Sequence, residues 1–298
     1  MIVVAGATGI LGSEICRRLI ARGKPVRALV RRTADPAKID NLKRIGAELV
    51  YGDLRDRASL DAACKGVSAV ITTVATTLSR QPGDSIEATD RNGQLSLLEA
   101  AQAASIGHFV YVSFSGAVER DVASPCPLTV AKRTVEQRVR ESGITYTILR
   151  SNIIMEIWLS PMLGFDYPNA RATLYGAGHN KLSWISLGDV AEFAVQSVDN
   201  PAARNATFEL GGPEPLGPLE VVTIFEALGK RPFEITNVPV EALQAQRAAA
   251  TDPLGQSFAA LMLAYATGAE TDMSETLKAF PIELVSVQDY ARRALVPA

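Results

Sequence analysis

Short runs of β-branched and aliphatic residues alternate with amphipathic stretches through the first half of the chain. Ile2-Val3-Val4-Ala5 predicts a buried first strand. The stretch that follows, to about Arg22, puts Ile15, Cys16, Leu19 and Ile20 on one helical face and arginines on the other. Val26–Val30 reads as strand two, and Asp35-Pro36 supplies an N-cap and a first-turn proline for a second helix. Further strands are expected at Glu48–Tyr51, 69–73, 109–114 and 146–150, with helices over 86–104 and 128–141. Strand–helix alternation with short connections implies a parallel sheet covered on both faces. Right-handed crossovers then favour the doubly wound order.

After about Arg150 the rhythm breaks. Segment 151–185 is rich in glycine, proline and aromatic residues, as expected of loops over a pocket. A helix over 188–198 and a strand near 207–210 suggest a return to the sheet. From Pro218 onward the pattern is mostly helical, over 218–228, 240–249, 256–267, 274–279 and 286–294, the last capped by Ser286. The expected fold is therefore α/β: a Rossmann doubly wound parallel sheet with a smaller, mostly helical C-terminal substrate lobe. The division expected is 1–155 and 156–298, with the segment near 186–210 returning to the first domain.

Composition removes several alternatives. Over 298 residues, 47% hydrophobic and 21% charged content describes a globular chain, and a net charge of −2 gives no general drive toward nucleic acid or acidic membranes. No apolar run approaches a membrane span, and the strand-like start lacks the basic region of a signal peptide, so a cytoplasmic protein is expected. Cys16, Cys64 and Cys126 are widely spaced, and with only His108 and His179 beside them no zinc set forms. No nucleic-acid motif, Ser–His pair or phosphate-binding lysine motif is present, and a homodimer is left open.

Gly6, Gly9 and Gly12 follow the first strand and open a helix. In that context they provide a tight turn, close approach to a pyrophosphate, and helix–strand packing. Thr8 offers a hydroxyl, and Ile10 and Leu11 belong to the helix N-terminus whose N–H groups favour phosphate. At the end of strand two, where an NAD site carries a carboxylate, stand Arg31 and Arg32. Guanidinium groups suit a 2′-phosphate, so NADP(H) is expected, solvated surface arginines being the competing reading. Lys38 is a weaker third candidate. Asp53 is placed to accept from the adenine amino group and Leu54 to flank the ring, unless Asp53 serves a turn or N-cap. Thr72, Thr73 and Val74 at the carboxyl end of strand four should lie along the ribose and pyrophosphate, with Ser113 near the nicotinamide.

Gly6-Ala7-Thr8-Gly9-Ile10-Leu11-Gly12, Leu29-Val30-Arg31-Arg32, Gly52-Asp53-Leu54 and Thr89-Asp90-Arg91-Asn92-Gly93 together resemble an atypical short-chain dehydrogenase, and most closely the NmrA-like branch. That branch contains type 2 quinone oxidoreductases, triphenylmethane reductases, isoflavone-reductase-like enzymes and non-catalytic redox-sensing regulators. The segment 141–150 is particularly similar to the quinone oxidoreductases. The resemblance is good over about residues 1–155 and at Asp189-Val190-Ala191, and faint beyond. It implies NADP(H) and cofactor contacts at the loop, arginine, Asp53 and strand-four positions. It also implies contacts from Asn152, Ile153 and Ile154.

The resemblance also exposes a departure. Ordinary members use Tyr-x-x-x-Lys, and the matching positions here are Leu128 and Lys132. The acid is missing. Lys132 remains, as in the isoflavone-reductase-like members, where it contacts cofactor or assists proton transfer; a surface lysine is the competing reading. Reducing a ketone needs an acid beside the nascent alkoxide, whereas a quinone gives a delocalised anion that water protonates. The expectation is an NADPH-dependent oxidoreductase passing hydride to a quinone-like or other conjugated small-molecule acceptor. A non-catalytic NADP(H)-sensing regulator is the alternative, and a nucleotide-sugar epimerase ranks third. His179 reads as an exposed loop residue. Trp158, Phe165, Tyr167, Tyr175 and Trp184 would either stack on a planar ligand or pack a core.

Overall fold

The structure is a computed structural model that describes residues 1–77, 80–119 and 125–296. The chain begins β1 (Ile2–Ala5), α1 (Ile10–Ala21), β2 (Val26–Val30), α2 (Pro36–Arg44), β3 (Glu48–Tyr51), α3 (Arg57–Cys64) and β4 (Ala69–Thr72). A π-helical stretch, Ile86–Gly93, runs into α4 (Gln94–Ala103), followed by β5 (His108–Phe114), α5 (Pro127–Glu141) and β6 (Thr145–Ser151). Asp35 caps α2 as its sequence requires, accepting from Ala37 N at 2.9 Å. The helix α3 was not expected. It is only eight residues long and is started by Asp56, whose carboxylate accepts from Ala58 N at 3.2 Å.

The second half runs β7 (Ile153–Ile154), α6 (Met155–Trp158), β8 (Phe165–Asp166), β9 (Arg171–Tyr175), β10 (Leu182–Ile185), α7 (Leu187–Ser197) and β11 (Ala206–Leu210). It ends β12 (Pro215–Leu216), α8 (Pro218–Gly229), β13 (Glu234–Val238), α9 (Val240–Ala249), α10 (Pro253–Thr267), α11 (Ser274–Ala279) and α12 (Val287–Ala294). The span 151–185, expected as loops, thus holds four strands and a helical turn. Most of these are too short to carry a hydrophobic period; β8 pairs locally with β9, while β7, β9 and β10 also take partners distant in sequence.

One sheet has the order β11-β6-β5-β4-β1-β2-β3. The pairs β1–β2, β2–β3, β1–β4 and β4–β5 are parallel, in register Ile2↔Val26 and Ile2↔Ala69 across the centre. This is the Rossmann doubly wound fold. Strand order reverses between β1 and β4, and ligands of such sheets bind outside the carboxyl ends at that point.

The chain divides into two compact units. The first comprises residues 1–113, 128–149 and 190–208, and the second comprises 114–127, 150–189 and 209–298. In the first, Val3, Val70, Phe109, Tyr111, Leu97, Val135 and Ile148 share a core. The second contains two three-stranded sheets, β12-β10-β7 and β13-β9-β8. Its core gathers Phe165, Trp184, Phe225 and Tyr265.

Candidate functional site

The glycine loop follows β1 at the switch point, and two of its glycines, Gly6 and Gly12, are required by space. Gly6 has φ +83°, and a Cβ there would lie 2.6 Å from Thr73 Oγ1. A Cβ on Gly12 would lie 2.1 Å from Gly6 O, so the first turn of α1 packs directly on the loop backbone. Gly9 N donates to Gly6 O at 2.9 Å and closes the turn. As N-cap of α1, Gly9 supplies no side-chain oxygen to the helix N-terminus. Ile10 is 53% exposed, and the Thr8 hydroxyl makes no hydrogen bond among the described residues. A helix N-terminus left uncapped, beside a tight loop that Gly6 and Gly12 allow to pack closely, fits a pyrophosphate.

β4 brings its residues to the same place with different roles. Thr73 Oγ1 donates to Ala5 O at 3.3 Å and, with Val74, flanks Gly6. Thr72 points into the core, donating to Gln94 Oε1 at 3.0 Å. At the end of β2, Arg31 Nη1 donates to Asp84 Oδ2 at 2.7 Å, while the Arg32 guanidinium lies 5.3 Å from the centre of the Tyr51 ring. Lys38 is exposed on α2. The Asp53 carboxylate is held by Arg55, with Nε and Nη2 at 2.9 and 2.8 Å, so an adenine amino group would have to share it. The Arg55 pairing, opposed by partial burial, holds Asp53 below the usual carboxylate range. Leu54 is buried, and its Cβ would meet a Cβ placed on Gly93 at 2.7 Å.

The first unit also carries a buried ionisable cluster. Lys132 is 2% exposed, so it is not a surface lysine, and its Nζ lies 5.1 Å from the centre of the Tyr111 ring. Burial pushes the Lys132 ammonium pKa down, against the opposing charges of Asp90 and Glu136. Asp90 is wholly buried, accepting from Thr76 Oγ1 at 2.5 Å and from Thr76 N, and burial pushes its carboxyl up. Ser113 Oγ donates to Glu136 Oε1 at 2.7 Å, which directs Ser113 toward α5. Leu128, at the position matching the dehydrogenase tyrosine, is fully buried. Asp90 stands within a motif visible in the sequence, but nothing there separates its buried role from that of an ordinary helix carboxylate.

Asn152, Ile153 and Ile154 belong to the second unit. The Asn152 amide is 6% exposed, and its Nδ2 donates to Ala269 O and Thr271 Oγ1, both at 2.7 Å. Its Oδ1 is buried with no hydrogen-bond partner among the described residues. Ile153 and Ile154 form β7 and pair with Trp184 and Ile185. The aromatic residues of this unit largely satisfy one another. Trp158 stacks on Tyr265 at 4.9 Å, Tyr175 meets Tyr265 edge-on, and Phe165 and Tyr167 pack on Phe225. Trp184 is fully buried and donates to Leu216 O. His179 is exposed. Among the described residues there is no grouping able to hold a metal, and no helix is long and apolar enough to cross a membrane.

The sheet order and glycine cradle define a Rossmann-type α/β protein with a nucleotide-shaped loop. The chain belongs to the NmrA-like family, which matches residues 1–291. It is 30% identical to the photosystem II assembly factor Ycf39 of Trieres chinensis over 80% of this chain and 72% of that protein. It is 32% identical to the NAD(P)H azoreductase of Xenophilus azovorans, over 81% of this chain and 78% of the relative. The NADPH-dependent quinone oxidoreductase QOR2 of Escherichia coli, solved with NADPH, shares the fold with a TM-score of 0.78. That match has 21% identity and covers 99% of this chain and 100% of that one.

Proposed function

We propose that the protein is an NADPH-dependent oxidoreductase that reduces a quinone-like or other conjugated small molecule. The glycine cradle is the observation that carries the reading: Gly6 at positive φ and Gly12 packed on Gly6 O form a tight turn that sets the uncapped N-terminus of α1 at the carboxyl end of β1, where a pyrophosphate would sit. Thr8, Ile10, Leu11, Thr73 and Val74 would line the dinucleotide, with Arg31 and Arg32 at the 2′-phosphate and Leu54 at the adenine. The azoreductase relative, whose name states NAD(P)H use, supports a reductase.

When bound, NADPH supplies hydride, so a quinone, one NADPH and one proton give hydroquinone and NADP+. Lys132 favours an enzyme over a bare sensor. It is buried among Asp90, Glu136 and Tyr111, where a solvated helix lysine has no reason to be. Its Nζ would hold a proton and orient the reacting end of the cofactor. Leu128 offers no acid, which suits an acceptor whose reduced anion is delocalised and is protonated by water.

NADPH consumption measured with benzoquinones, azo dyes and enones tests this. The wild type is expected to oxidise NADPH with at least one acceptor class, and Lys132→Ala to lose about 10²-fold in kcat. Binding of NADPH without turnover across the panel would overturn the catalytic reading. The same Leu128 supports a second one, an NADP(H)-sensing regulator. Its signature would be unequal affinity for NADP+ and NADPH together with a protein partner recovered in only one redox state.

A further inference from the structure

Arg31 and Arg32 are adjacent in sequence but differently held. Arg31 Nη1 donates to Asp84 Oδ2 at 2.7 Å, and the Asp84 side chain is 2% exposed. The same Oδ2 accepts from Gln81 N at 2.8 Å, and Oδ1 faces Thr89 Oγ1 at 3.4 Å and Arg55 Nη1 at 3.9 Å. Gln81 is tied back to the turn after β2: its Nε2 donates to Thr33 O at 3.2 Å, and the Thr33 hydroxyl donates to its Oε1. Arg55 donates to Pro82 O at 3.3 Å. Arg32 lies over Tyr51 and makes no ion pair among the described residues.

The Asp84 carboxylate is held by the Gln81 N–H as well as by Arg31, so it has an anchor within residues 81–84 that is independent of Arg31 and presents the guanidinium with a fixed acceptor. Burial raises the Asp84 pKa, but the Arg31 hydrogen bond and the Gln81 N–H more than offset this, so the group stays ionised at neutral pH. Oδ2 takes a single donor from the guanidinium fork and leaves the others for a ligand. An arginine already held loses less side-chain freedom on capturing a phosphate than a free one does. Arg31 and Arg55 are each paired with a carboxylate, Asp84 and Asp53, whereas Arg32 lies over Tyr51 and carries its positive charge without an ion pair among the described residues.

We propose that Asp84 is a specificity-determining residue for the dinucleotide: acting through Arg31, it sets the guanidinium for the 2′-phosphate and so sets the preference for NADPH over NADH. Arg32 supplies net charge and Arg31 supplies geometry. Asp84 is a positioning residue, and the inference rests on the NADP(H) reading above.

Calorimetric titration of the whole protein with NADPH, NADH, 2′,5′-ADP and 5′-AMP tests it without any acceptor. The wild type is expected to favour the two 2′-phosphorylated ligands. Asp84→Ala is expected to cut the NADPH-to-NADH affinity ratio by about five-fold or more, the scale of one charge-assisted hydrogen bond partly lost, with NADH affinity unchanged. Asp84→Asn keeps an acceptor for Nη1 and should lie between; if Asp84→Ala does not fold, Asp84→Asn decides alone. An unchanged ratio would mean that the pair only ties down residues 81–84, and a tighter NADPH complex would mean that the carboxylate competes with the phosphate. Either result overturns the proposal. A wild type without preference for the 2′-phosphorylated ligands would instead remove the NADP(H) reading beneath it.

Discussion

Gly12 shows how little freedom a single position retains here. In an ordinary helix interior alanine is favoured over glycine by about 1 kcal/mol. At Gly12 the added Cβ would sit 2.1 Å from Gly6 O, a backbone atom with nowhere to go. Gly12→Ala is therefore expected to reverse the usual sign, destabilising by about 1–3 kcal/mol through overpacking. NADPH affinity should fall at least about ten-fold as the loop shifts. Thermal melts and nucleotide titration check both, and a stabilised Gly12→Ala with intact binding would refute the packing argument. Cys16 and Cys64 show the opposite case, side chains that serve as buried packing groups. Burial pushes the Cys16 thiol up to about 12 and Cys64 to about 11, so neither offers a thiolate at neutral pH.

At the scale of elements, α1 is fastened to α7 by charge. Glu192 on α7 accepts from Arg18 Nη1 at 2.8 Å and Arg22 Nη2 at 2.5 Å, while Glu14 holds Arg18 from within α1 at 2.7 Å. Burial raises the Glu192 pKa, but its bonds to Arg22, Gln196 and Arg18 outweigh this and bring it below the ordinary range. A carboxylate with a lowered folded pKa adds stability above its unfolded value, about 4.3, and loses it as pH falls through the folded value. Glu192→Gln is expected to cost about 1 kcal/mol at pH 7, because Arg22 remains partly solvated. The difference between variant and wild type should begin to shrink as pH falls below about 4.3 and go on shrinking as pH falls through the folded value. Denaturant melts from pH 7 down into the acid range check this, and a penalty that does not shrink on acidification would point to packing rather than charge.

For the whole molecule, the important fact is that neither compact unit is one continuous stretch of chain. The first recruits residues 190–208, which contribute most of α7, the start of β11 and the edge of the sheet beside β6. Val190, Ala191, Phe193 and Ala194 are fully buried, and Thr147 Oγ1 donates to Ala203 O at 2.7 Å. A fragment ending at residue 155 carries the glycine loop and all six leading strands yet lacks this cover. It is expected to expose apolar surface and to show no cooperative melt, measured by calorimetry and dye binding. A cooperative transition in that fragment would show that α7 and β11 are dispensable.

The doubly wound frame was legible in the sequence, because most of the leading strands are apolar runs and the helices between them carry apolar stripes at helical spacing. The sequence also placed Gly6, Gly9 and Gly12, since a glycine triplet between a strand and a helix has few other uses. The short pieces of 151–185 were not legible: β7 and β10 are stabilised by partners distant in sequence, β8 is only two residues long, and the aromatic residues, open between ligand and core, pack on Phe225 and Tyr265 from later in the chain. Tertiary structure alone decided the environment of charged groups. Lys132, indistinguishable in sequence from a solvated lysine in a run of charges, is buried against Tyr111. Arg31 and Arg32, two like neighbours on paper, differ because Asp84, 53 positions away, is held against only one of them. Periodicity reports which face of an element is apolar, whereas the partner of a buried charge is set by the chain folding back from far along the sequence.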